Sequence, residues 1–179
     1  MLMKTKTVLA AAVLAVSTLA LAANVHLKQN RSPTFVDGGL YLQVAGAIAG
    51  LGNGDVVISL SAQGDVTATC TNPGGGTQPP GQNPAPITLT GTQVIPEEEV
   101  KNGNVTFNVR TTSAPETIAG APGCPNPQWT ERIVDVAFTS AMLTVEQPAA
   151  VVVLQLSCTF NPATANGGVP KATVSCTVQ

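Results

Sequence analysis

The sequence predicts an all-β protein: an antiparallel two-sheet sandwich, immunoglobulin-like in architecture, with about nine strands behind a cleaved signal peptide. Three observations carry this reading. Apolar residues recur at every second position through most of the chain, the period of a half-buried strand. Clusters of Gly, Asn, Asp and Pro break these runs at short intervals. Past the N-terminal apolar stretch, no segment has the period of an amphipathic helix. A closed barrel is the less favoured alternative. At 179 residues the chain has the length of one domain with appendages.

Residues 1–22 read as a signal peptide. Lys4 and Lys6 form a basic start, Val8 to Leu21 an apolar run, and Ala20-Leu21-Ala22 a small-residue cleavage site. A retained membrane anchor is the competing reading. It is weaker, because the run is shorter than a spanning helix needs and Ser17-Thr18 interrupt it. Residues 23–37 are polar and irregular, a flexible N-terminal arm, and residues 38–179 make the single sandwich domain.

Within that domain Leu40, Leu42, Val44 and Ile48 share one strand face, and Gly50 to Asp55 is turn chemistry. Val56, Ile58, Leu60 and Ala62 alternate with polar residues. A second turn at Gly64-Asp65 is expected to lead into Val66, Ala68 and Cys70, which completes a three-strand meander. Asn72 to Pro86 is a loop too irregular to pair. Ile87 to Val94 is a Thr-rich strand, and Pro96 to Val100 one helical turn with acids where the dipole favours them. Asn102-Gly103 turns the chain into Val105, Phe107 and Val109. Ser113 to Thr130 is a second long loop. Val134, Val136 and Phe138 are expected on one face, after which the apolar parity slips to Leu143 and Val145, so a bulge belongs near Ser140. A final hairpin pairs Val152 to Phe160 with Ala172 to Val178, and each strand carries a thiol.

The four cysteines, Cys70, Cys124, Cys158 and Cys176, make two disulfides most simply in an exported chain. Three pairings exist. Cys158–Cys176 across the hairpin and Cys70–Cys124 between the long loops are favoured, and Cys70–Cys158 across the sheets is the main rival. Zinc is disfavoured because no C-x-x-C pair is present. The pattern around Cys70-Thr71-Asn72-Pro73, echoed at Cys158 and Cys124, is better explained by strand-end chemistry than by duplication.

Composition narrows the function classes. Charged residues make up 10% of the chain, against roughly 25% in ordinary globular proteins. Cleavage would lower the formal charge from −2 to −4 by removing Lys4 and Lys6. The basic residues left, Lys28, Arg31, Lys101, Arg110, Arg132 and Lys171, are scattered, so nothing resembles the stripe that nucleic acid requires. No further apolar run is long enough to span a membrane. The expected product is a soluble secreted or extracellular protein, periplasmic if its host has two membranes.

Catalytic patterns are weak. The only histidine, His26, sits in the N-terminal arm, where nothing would orient its imidazole. Carboxylate-based hydrolysis would draw on Glu97, Glu98, Glu99, Glu116, Glu131 or Asp135. Three of these are contiguous, and Asp135 alternates away from Val134 and Val136, so it is expected to point outward. Asp37, Asp55 and Asp65 adjoin glycines without forming a calcium loop. No catalytic residue, metal or cofactor is assigned. Asn104-Val105-Thr106 matches a glycosylation sequon.

The functional expectation is therefore a secreted, non-catalytic module of structural, adhesive or recognition type. It would bind a protein or cell-surface partner, or itself, through the Pro/Gly-rich loops 72–86 and 113–130 or through sheet edges sparse in charged gatekeepers. Candidate contact residues are Asn72, Pro73, Asn126, Pro127 and Trp129. The alternatives are a secreted enzyme inhibitor that inserts a Pro-rich loop, and a small carboxylate-dependent hydrolase.

Overall fold

The structure, a computed structural model, describes residues 24–28 and 32–179; the expected signal peptide lies outside the described residues. Twelve strands are present among the described residues. They are β1 (His26–Leu27), β2 (Thr34–Asp37), β3 (Leu42–Ala49), β4 (Val56–Thr71), β5 (Thr77–Gln78), β6 (Ile87–Ile95), β7 (Asn104–Arg110), β8 (Thr117–Ile118), β9 (Thr130–Glu146), β10 (Val152–Phe160), β11 (Gly167–Gly168) and β12 (Val174–Val178). Four of them, β1, β5, β8 and β11, are only two residues long. Two residues carry no readable period, so these four escape the sequence count, as does β2, while the split of β4 at Gly64-Asp65 adds one.

The strands form two antiparallel sheets. In the smaller, β3 is central: β7 lies on one side, β1 and β2 lie end to end on the other, and β11 is added outside β2. The larger is built on a long ribbon, β4 against β9, of 16 and 17 residues. β6 and β10 flank one half of this ribbon and β5 and β8 the other, and β12 lies outside β10. The alternating residues Leu42, Val44, Ile48, Val56, Ile58, Leu60, Val105, Phe107, Val109, Leu143, Val145, Leu154 and Leu156 turn inward and are buried. Phe35 meets Phe160 edge-on across the sheets, with centroids 5.1 Å apart.

Several expectations change. Thr34–Asp37, expected in a flexible arm, forms β2, where Phe35 and Asp37 are buried. Gly64-Asp65 is not a turn. β4 runs straight through it, so β3, β4 and the following segment are not a meander. Glycine serves there for close approach: a Cβ on Gly64 would lie 2.7 Å from Val136 Cγ1 and 2.9 Å from the Ala137 carbonyl. The loop from Asn72 does pair, since β5 lies on Cys70 and Thr71. Val134 leaves the expected inward face and is 49% exposed. The pairing skips it, passing from Thr67↔Asp135 to Ala68↔Ile133, so Ile133 faces inward instead. The second shift, at Thr139, is the bulge expected near Ser140. Ala172 lies in a short 3₁₀ turn (Lys171–Thr173) rather than in the final strand.

On one flank the two sheets meet. Thr112 N–H donates to the Thr90 carbonyl at 2.8 Å and Asn108 N–H to Gln93 Oε1 at 3.0 Å. Gly91 allows this contact, for a Cβ there would stand 2.0 Å from the Arg110 carbonyl. At the other flank the chain between β10 and β12 leaves the larger sheet, adds β11 to β2, and returns. Near the β3–β4 turn the buried Gln147 amide donates from Nε2 to the Gly52 and Gly54 carbonyls, each at 2.9 Å. Its Oε1 accepts from Gly52 N–H at 2.7 Å.

Candidate functional site

The ribbon of β4 and β9 carries the two long loops at one end. Cys70, near the end of β4, is fully buried and bonded to Cys124 in loop 113–130. The hairpin bond joins Cys158 to Cys176, residues directly paired between β10 and β12. Both favoured pairings are present, and the rival Cys70–Cys158 is not. Cys70, Ala68 and Ala121 are buried but lie outside the main hydrophobic core, so apolar packing at this end of the ribbon is thin. The covalent link therefore does much of the holding there.

Other contacts reinforce it. Gly81 N–H donates to the Gly123 carbonyl at 2.9 Å, which joins the two loops directly. Gly123 N–H donates to Glu131 Oε2 at 3.0 Å, and Glu131 is only 1% exposed. A Cβ on Gly123 would lie 2.6 Å from Glu131 Oε1 and 3.0 Å from the Gln82 carbonyl, so the loops approach closely at that residue. Between them is a shallow depression of about 300 Å³ floored by Ile118, Pro122, Gly123 and Glu131 and walled by Gln82 to Ala85.

The candidate contact residues fall on this loop pair. Asn72 is half-buried and spent on its own turn: its Oδ1 accepts from Gly76 N–H at 2.8 Å and its carbonyl from Gly75 N–H at 2.9 Å. Asn126 does the same for Gln128 N–H at 3.0 Å and Trp129 N–H at 3.2 Å. Pro73, Asn126 and Pro127 are exposed and Trp129 half-buried. Asn72 thus shapes its loop, while the prolines and Trp129 form the surface.

A second polar cluster joins the two sheets. Asp37, 2% exposed at the end of β2, accepts Gly39 N–H at 2.8 Å through Oδ1 and the Thr164 hydroxyl through Oδ2. Thr164 Oγ1 also accepts Phe138 N–H at 2.9 Å, and Val136 N–H donates to the Gly39 carbonyl at 2.7 Å. Asp135 keeps the outward face expected of it, paired with exposed Thr67 and opposite in parity to buried Val136, but it is half-buried there rather than solvated. Its Oδ1 is enclosed and without a hydrogen-bond partner. Burial holds its carboxyl above the ordinary carboxylate range, and the charge of Asp37 raises it further. The nearby Val136 N–H and Asn166 side chain partly offset both. Alternation with Val136 gives the face of Asp135, but not its enclosure beside Gly39 and Asn166, which come from distant segments. Thr164 and Asn166 carry no motif.

Two close acids, one of them raised, resemble the acid–base pairs of hydrolases. Here both carboxylate oxygens of Asp37 are engaged, by Gly39 N–H and by the Thr164 hydroxyl. Glu97, Glu98, Glu99 and Glu116 are exposed and apart from it. His26 is exposed, with Nδ1 2.6 Å from the Asn24 carbonyl. Tyr41 lies under the Arg110 guanidinium, 3.7 Å from its ring centre. Among the described residues no three His, Cys, Asp or Glu side chains converge as metal ligands, and no helix is long and apolar enough to cross a membrane. Comparison with family models, curated proteins and solved structures found no match.

Proposed function

We propose that the mature chain, cleaved after Ala22, is an exported, non-catalytic recognition or adhesion module, immunoglobulin-like in its layering. It grips a protein or cell-surface partner with the surface made by loops 72–86 and 113–130. The observation that carries this reading is the Cys70–Cys124 bond, with the Gly81–Gly123 hydrogen bond beside it. Together they tie two otherwise irregular segments into one preshaped surface on a rigid ribbon. Loops held in advance lose little conformational entropy on binding, which is the advantage of a scaffold. The exposed Pro73, Asn126 and Pro127 beside a half-buried Trp129 supply stiff contact area at low entropic cost.

The test applies labelled mature protein to intact cells of its source, with Trp129→Ala and the pair Pro73→Ala, Pro127→Ala as comparisons. Binding by the parent that falls at least tenfold in these variants, at unchanged melting temperature, supports the loop surface. Binding that survives both variants overturns it. The inhibitor alternative predicts that isolated loop variants lose inhibition of a secreted hydrolase instead. The hydrolase alternative predicts turnover that disappears in Asp135→Asn.

A further inference from the structure

We propose that β12 is a docking edge for a second copy of this chain, the two β12 strands pairing antiparallel about Cys176. The inference stands apart from the loop surface and rests on the main-chain groups of one strand.

β10 is the neighbour of β12 on one side, and among the described residues no strand lies on the other. Hydrogen-bonded and non-bonded residue pairs alternate along an antiparallel ladder. Gln179 N–H bonds the Gln155 carbonyl, and Asn161 N–H bonds the Thr173 carbonyl. The bonds to β10 therefore belong to Thr173, Ser175, Thr177 and Gln179. Cys158↔Cys176 is a non-bonded pair, in keeping with its short Cα–Cα distance of 4.0 Å. The main-chain groups of Val174, Cys176 and Val178 consequently face away from β10. Of these, Val174 N–H is already used, on the Lys171 carbonyl.

The strand is complementary to its own reverse. Val174-Ser175-Cys176-Thr177-Val178 reads as apolar, hydroxyl, sulfur, hydroxyl, apolar from either end. With two copies centred on Cys176, each Cys176 N–H meets the other's Cys176 carbonyl, and each Val178 N–H meets the other's Val174 carbonyl. The Val174 donor that is already engaged is not needed for either of these bonds. Val174 then stands opposite the second copy's Val178 on one face, and Ser175 opposite its Thr177 on the other, as cross-strand pairs prefer. Val178, 65% exposed in the single chain, becomes covered.

Other edges are protected and this one is not. β6 is met by β7, β5 and β8 are two residues long, and β11 covers β2. β12 contains no charge, proline or bulge, the usual devices against edge pairing. Beside it is a cleft of about 350 Å³ where Cys176 and Val178 meet Val25 and Leu27 together with the polar Asn24, His26 and Ser32.

Sedimentation velocity on the oxidised chain from Ala23 onward, over a concentration series, tests the inference. A reversible dimer is expected, with the amides of Cys176 and Val178 gaining hydrogen-exchange protection as concentration rises. Val178→Pro removes a donor that β10 does not use. It should weaken the dimer roughly tenfold or more while leaving the monomer folded. Val178→Lys should do the same by charge, and covers the case in which the proline variant misfolds. A wild-type chain that stays monomeric at the highest concentration overturns the proposal. So does a dimer unaffected by both variants, or one whose new protection lies in loops 72–86 and 113–130.

Discussion

Replacing Cys70 and Cys124 together by alanine tests whether the loop platform is held covalently. The bond spans 54 residues of chain, whereas Cys158–Cys176 spans 18. Chain-entropy reasoning assigns about 4 kcal/mol to the longer closure and about 3 kcal/mol to the shorter. The local setting sharpens the contrast. Cys70, with buried Ala68 and Ala121, lies outside the main hydrophobic core, so little packing remains to hold loops 72–86 and 113–130 once the bond is gone. Around Cys158 the ladder between β10 and β12 remains. Urea unfolding of the parent, of Cys70→Ala with Cys124→Ala, and of Cys158→Ala with Cys176→Ala measures both costs. With a slope of roughly 2 kcal/mol per molar, the first pair of substitutions should lower the midpoint by about 2 M, more than the second pair does. Limited proteolysis of that variant should cut within the two loops and leave the body of the sandwich intact. A loss below about 1 kcal/mol, or protease resistance equal to the parent's, would refute the argument that this bond holds the loops.

Two further outcomes follow from buried polar groups. Asp135 has a raised carboxyl pKa, caused first by burial and then by Asp37. Its stabilising contribution is complete below the ordinary carboxylate range, where the group is protonated in both states, and is lost as pH rises through the folded-state value. Asp135→Asn should therefore gain stability relative to the parent as pH rises toward neutrality. Parallel melting-temperature profiles for the two would contradict this. Gln147→Ala removes the amide that bonds Gly52 twice and Gly54 once. It should cost about 2–3 kcal/mol, or roughly 5–10 °C in melting temperature. Calorimetry showing a drop under about 2 °C would mean that water replaces the amide without penalty.

Much of the candidate site was legible in the residues. Cys124 lies in one irregular segment and Cys70 at the edge of the other, so the pairing that joins the loops could be favoured among three, and the structure contains it. The depression between them was not legible. It depends on Gly81 meeting Gly123 and on Glu131 being buried beneath, and a carboxylate among polar neighbours looks solvated in a one-dimensional pattern. The same holds for Asp37 with Asp135, which lie 98 positions apart in number and meet only because β2 and β9 belong to facing sheets.

By itself the sequence determined the strand class, the inward residues of β3, β4, β7 and β10 and the turn at Asn102-Gly103, and it favoured one disulfide pairing of three. Each of these follows from local period or from turn chemistry, which act over a few residues. Only the tertiary structure decided that Gly64 continues a strand, that Val134 is squeezed out and Asp135 enclosed, and that β11 crosses to the other sheet. It also decided that, among the described residues, β12 keeps an open edge. Such choices are made where two distant segments compete for one volume, through close approach of backbones and through which main-chain groups find partners. Spacing along the chain carries no record of that competition.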